Sequence, residues 1–125
     1  MRGGLINNPK KELTVNFSSE KVIKCLKVIH LMSTEKYVRR FRFVSFDEVY
    51  QTVKLSRKGP IDIMDTHCFD INVKHIDDNK SKIDIEATRS FGAYNHEAEL
   101  MVCNDMIAEL LSILSQLLKE IRVSI

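Results

Sequence analysis

The stretch "SFDEVYQTVKLSRKG", residues 45–59, admits two readings, and the choice between them sets the architecture of the chain. Ser45 and Glu48 have the spacing of a capping box, and Phe46, Val49, Tyr50 and Val53 recur at helical intervals. Val49, Val53 and Leu55 also fall on one side of an extended strand, and Val, Tyr and Thr favour strands. We read a hairpin that turns near Asp47 and continues as a strand. With that choice the middle of the chain becomes a run of strands joined by turns rather than a second helical layer.

Working outward, "KYVRRFRFV" is rich in strand formers, with Phe41 and Phe43 on one face and Arg40 and Arg42 on the other. "RKGPIDIMDT" reads as a loop around Gly59–Pro60, and its Ile61, Ile63 and Met64 are expected over a sheet edge. "HCFDINVKHI" places Phe69, Ile71 and Val73 together. "DDNK" is a turn, and "SKIDIEATR" returns with Ile83, Ile85 and Ala87 inward.

Upstream, residues 1–10 read as a lead-in tail, followed by a single domain over 11–125. "ELTVNF" alternates as a strand with Leu13, Val15 and Phe17 aligned. Ser18 or Ser19 then caps a helix striped by Val22, Ile23, Leu26 and Ile29 that is expected to end near "MSTEK". Downstream, a helix is predicted over about 96–122. Leu100, Cys103, Ile107, Leu110, Leu111, Leu114, Leu117, Leu118 and Ile121 step by three and four. Glu97 and Glu99 stand early in it, Lys119 and Arg122 late, as the helix dipole prefers. The expected order is β-α-β-β-β-β-α: an α+β two-layer sandwich with an antiparallel sheet packed on a long C-terminal helix.

Composition narrows the function classes. With 44% apolar and 29% charged residues the chain is globular rather than disordered. No apolar run reaches the ~20 residues that span a bilayer, and the N-terminus lacks the apolar core of a signal peptide, so a cytoplasmic protein is expected. Cys25, Cys68 and Cys103 lack CxxC spacing and fit a reducing compartment. Residues 1–60 hold 13 Lys/Arg against 5 Asp/Glu, a charge of +8; residues 61–125 hold 6 against 12, a charge of −6. Ion pairing across strands accounts for this asymmetry more simply than a nucleic-acid surface does.

The chemistry-bearing motifs are sparse. His30, His67, His75 and His96 form neither HExxH nor HxH, so no metal site is expected. His67 and Cys68 are strand neighbours that point to opposite faces, which rules them out as a nucleophile–base pair. With no GxSxG, Walker loop or GxGxxG, the chain is expected to be non-enzymatic and without cofactor. Arg40 and Arg42 offer a basic surface, but Asp70, Asp84 and Glu86 share that face and oppose phosphate, so nucleic-acid binding is the weakest reading.

In "EATRSFGAYNHEAELMVCND", residues 86–105, Arg89 has inward parity and needs a partner, which Glu97 or Glu99 can supply across the corner. Gly92 can take positive φ where the chain reverses, and Asn104 can bond nearby backbone. These residues are expected to brace a strand-to-helix corner. The C-terminal helix, about 40 Å long at 1.5 Å per residue, has a stripe widened by Met101, Met106 and Ile113, which invites a partner chain.

The chain resembles a group of small uncharacterised bacterial proteins. The resemblance is carried by "GGLINNPKKELTVNFSSEKVIKCL", by "DDNKSKIDIEATRSFG", and by the spacing of Glu86, Arg89, Gly92, Glu99 and Asn104 before a leucine-rich helix. It covers Leu5 to Leu118, implies an antiparallel strand over 48–56, and implies no known activity. A more distant likeness is to helix-grip domains, which clasp a long C-terminal helix with a curved sheet and often hold apolar ligands. Two functions are therefore expected. The first is protein–protein interaction or self-association as a homo-oligomer, through the last helix and the polar sheet face. The alternative is an apolar small ligand held between sheet and helix by Phe41, Phe43, Phe69, Leu110 and Leu114.

Overall fold

In the computed structural model the 45–58 stretch is a hairpin. Strand β2 (Arg42–Asp47) turns through residues 48–51 into β3 (Thr52–Lys58). The structure describes residues 9–29, 41–58, 65–89 and 96–123. The remaining elements are β1 (Lys10–Val15), α1 (Ser19–Lys27), β4 (Asp65–Asp77), β5 (Lys80–Arg89) and α2 (His96–Val123). The order β-α-β-β-β-β-α is the one the hydrophobic pattern predicts.

The five strands form one antiparallel sheet in the order β1-β5-β4-β3-β2. Strands β2 to β5 are a meander, and β1 is added beside β5. The sheet already begins within the expected lead-in tail: Lys10 stands opposite Glu86, and Ala87 N–H donates to the Pro9 carbonyl at 2.9 Å. Residues 1–8 lie outside the described residues, as does most of the loop expected at "RKGPIDIMDT".

Both helices cover the same sheet face. Val53, Leu55, Phe69, Ile71, Val73, Ile83, Ile85 and Ala87 point into this layer. There they meet Val22, Ile23, Cys25 and Leu26 of α1 and Met106, Ile107, Leu110, Leu114 and Leu118 of α2. Each large apolar side chain hidden here contributes about 1.5–3 kcal/mol relative to exposure. Ser81 is buried among them, and its hydroxyl donates to the Phe17 carbonyl at 2.9 Å, so the polar group is satisfied.

Three expectations need correction. Helix α1 closes at Val28, well before "MSTEK", through a Val28 N–H bond to the Cys25 carbonyl that tightens the last turn. Phe43 is 37% exposed instead of buried beside Phe41. It stands on the edge strand, where a bulge between Phe43 and Ser45 adds one residue; Phe46, half-buried, then packs on the core instead. Finally, Leu100–Lys119 of α2 is long and apolar enough to cross a membrane by length and composition, although its sequence is interrupted by charges. Its buried stripe lies on the sheet, including Met106 and Ile113, while Met101 is exposed.

Candidate functional site

Inward-facing positions on β3 alternate as Val53, Leu55 and Arg57, so the strand period that builds the core also carries a guanidinium into it. Arg57 is only 7% exposed. On β4 the same period places His67 beside Phe69 and Ile71. Arg57 and His67 are direct cross-strand partners, and His67 pairs in turn with Arg89 on β5. The three positions form one row near the end of the sheet.

Helix α2 completes the site. Arg57 Nη1 donates to Glu109 Oε2, an ion pair that ties the sheet to the helix. Arg57 also lies over the Phe41 ring, 5.0 Å from its centroid, a cation–π geometry. Phe41 meets Phe69 edge to face, with centroids 5.4 Å apart and planes at 73°. The Glu109 side chain is 26% exposed, so the pair reaches solvent along one side of α2. The Arg57 Nε–H is buried and finds no hydrogen-bond partner among the described residues. The site is thus a charge-balanced Arg–Glu pair, with a buried imidazole in the neighbouring register and an aromatic floor. One N–H donor is left over.

Several residues singled out from the sequence fall elsewhere. Phe41, Phe69, Leu110 and Leu114 are all 2% exposed or less and lie in the sheet–helix interior, whereas Phe43 is at its rim. Gly92 and Arg40 lie outside the described residues, as do the side chains of Arg89, Glu97 and Glu99. Asn104 is exposed on α2, and Arg42 is exposed on β2. Among the described residues no group of three His, Cys, Asp or Glu could hold a metal ion.

The outer sheet face carries ion pairs between neighbouring strands, of which Lys54–Asp70 joins a lysine of the first half to an acid of the second. Lys54 lies 3.8 Å from Asp70, Lys74 3.1 Å from Asp84, and Lys82 2.9 Å from Glu12. The bond to Glu12 and the charges of Glu12 and Asp84 push the Lys82 pKa above its ordinary value. An open groove of about 490 Å³ crosses this face, lined by residues of both signs such as Lys10, Asp70 and Glu86. That mixture of charges does not suit a polyanion.

Arg57, His67 and Glu109 were not singled out by sequence motifs. The signal that could have found them is parity. Arg57 and His67 continue the inward series of their strands, and Glu109 flanks Met106, Leu110 and Ile113 on the core stripe.

No family model matches the chain, and no curated protein matches it. Solved structures do. An uncharacterized protein from Bacillus thuringiensis matches at TM-score 0.59 and 14% identity, over 86% of this chain and 96% of its own. A START superfamily protein from Mycobacterium smegmatis matches at TM-score 0.55 and 6% identity, over 90% and 97%. Norcoclaurine synthase from Thalictrum flavum, in complex with dopamine and hydroxybenzaldehyde, matches at TM-score 0.56 and 12% identity, over 91% and 87%. At such identities the likeness is one of fold and assigns no activity to this chain. It does correct the expectation of a non-enzyme. That expectation rested on missing motifs, yet this fold carries a synthase, so missing motifs do not exclude catalysis. The chain is an α+β protein of helix-grip type, with a five-stranded antiparallel sheet closed over a long C-terminal helix.

Proposed function

We propose that this chain is a small-molecule binding module that takes a largely apolar ligand between its sheet and α2. The observation that carries the reading is the buried Arg57–Glu109 pair over Phe41. Such a pair within an apolar interior is a poor source of stability, because desolvation of both charges offsets most of their attraction. It is well suited to orienting a ligand, for which a few polar groups in an apolar site suffice. The shared fold with a synthase held with two small aromatic molecules supports the same reading. Native mass spectrometry tests it. Gently purified protein is expected to retain a small molecule, or to take up naphthyl methyl ketone as a discrete mass shift. A bare chain under both conditions would contradict the proposal.

A second reading, self-association or docking of a protein partner, is favoured by one surface. The β2–β3 hairpin displays Phe43 (37% exposed), Val44 (51%), Val49 (84%) and Tyr50 (72%) on an edge strand and its turn. Light scattering after size exclusion separates the cases. If the hairpin joins two copies, wild type runs as a dimer and Val44→Asp with Tyr50→Ser runs as a monomer. A wild type that stays monomeric ends the self-association reading.

A further inference from the structure

We infer that the ligand is held by an uncharged oxygen acceptor, a ketone, amide or phenol oxygen on an aromatic or alicyclic body, and that it docks on the Nε–H of Arg57. The inference rests on the binding-module reading and adds the chemical class to it. Three observations lead there. First, Arg57 is 93% buried, and its Nε–H has no partner among the described residues, whereas such buried donors are almost always satisfied. A group that supplies the missing acceptor recovers the cost of leaving that donor unpaired. Second, Glu109 already neutralises the guanidinium through Nη1. A carboxylate brought to the Nε–H would place a second anion beside Glu109 in a site of low polarity, where like charges repel strongly. A neutral acceptor meets the donor without that repulsion. Third, the surroundings of the donor are aromatic: the guanidinium lies over the buried Phe41 ring, which meets Phe69 edge to face.

Glu109 is therefore a specificity residue: it tells a ketone from a carboxylate by occupying the anion's share of Arg57. The consequence is a predicted exchange of preference. Naphthyl methyl ketone and naphthoate share one ring system and differ in the acceptor. Titrated into the whole chain and followed by amide chemical shifts, wild type is expected to bind the ketone at least about tenfold more tightly than the acid, the factor set by one unfavourable charge contact. In Glu109→Gln the guanidinium lacks its counter-charge, and the order should reverse. In Arg57→Met the two probes should bind within about threefold of each other, because only the apolar surface remains. Circular dichroism establishes that each variant is folded, and the wild-type ratio is informative by itself. A wild type that prefers naphthoate, or a ratio that Glu109→Gln leaves unchanged, overturns the inference while leaving the binding module in place. If neither probe binds wild type, the binding-module reading falls and the inference falls with it.

Discussion

Arg57 illustrates how the cost of one polar side chain depends on what surrounds it. Glu109 is partly hydrated, whereas Arg57 is not. Removing either partner should therefore have unequal effects on stability. Glu109→Gln strands a buried cation and is expected to lower the unfolding free energy by about 2 kcal/mol. Arg57→Met leaves a carboxylate that water can reach and keeps an apolar stem on Phe41, so its cost should be under about 1 kcal/mol. Urea midpoints at constant m-value measure both; equal costs would show that the two groups share one environment. Cys25 supplies a second test. Burial pushes its thiol above the ordinary value of 9.0, against the partial pull of Lys21 and Lys24. Above that pH the unfolded chain gives up the thiol proton and the folded chain holds it. The folded state thus binds more protons, and stability falls as pH rises from 9.0 through the folded pKa. Cys25→Ala should flatten that part of the profile, although Lys82, whose pKa is also raised, retains a similar trend at higher pH.

The hairpin that decides the fold is held by its turn. Asp47 Oδ1 accepts from the N–H groups of Val49 at 3.0 Å and Tyr50 at 3.1 Å, and Gln51 takes a positive φ of 51°. Gln51 closes the turn by donating from its side chain to the Glu48 carbonyl at 2.7 Å. Asp47→Ala should cost about 1 kcal/mol in urea unfolding, and Asp47→Asn, which keeps an acceptor, much less. Strand propensity and parity made β3 legible: Val53 and Leu55 are fully buried, as a strand demands, and Tyr50, which a helix would have buried with Val53, is exposed. Val49, which parity placed with Val53 and Leu55, lies in the turn instead and is exposed. The bulge at Phe43–Ser45 was not legible, because an alternating pattern carries no mark of an inserted residue. The early end of α1 was hidden as well: the cap is made by backbone at Val28, and no Gly or Pro announces it. Ser18 was legible; its side chain accepts from the Lys21 N–H at 3.2 Å, and Ser18→Ala should cost about 1 kcal/mol.

At the scale of the whole molecule, the charges of the sequence are paired across neighbouring strands of the sheet. Strand β4, with Asp65, Asp70 and Asp77 against Lys74, lies at the centre. Lys54 of β3 meets its Asp70, Lys74 of β4 meets Asp84 of β5, and Lys82 of β5 meets Glu12 of β1. The pairing expected between the basic and acidic halves is met at one of these three pairs, Lys54–Asp70; the other two come from strand adjacency irrespective of the division at residue 60. The candidate site was less legible because its members come from β3, β4 and α2, and their meeting depends on register that no local pattern encodes. The central claim is that the interior between sheet and α2 receives a small ligand. Amide chemical-shift mapping of wild type with naphthyl methyl ketone tests it most directly. The predicted result is a saturable set of shifts centred on Arg57, His67 and the middle of α2 around Glu109. Shifts confined to the β2–β3 hairpin, or to the outer sheet face, would contradict it.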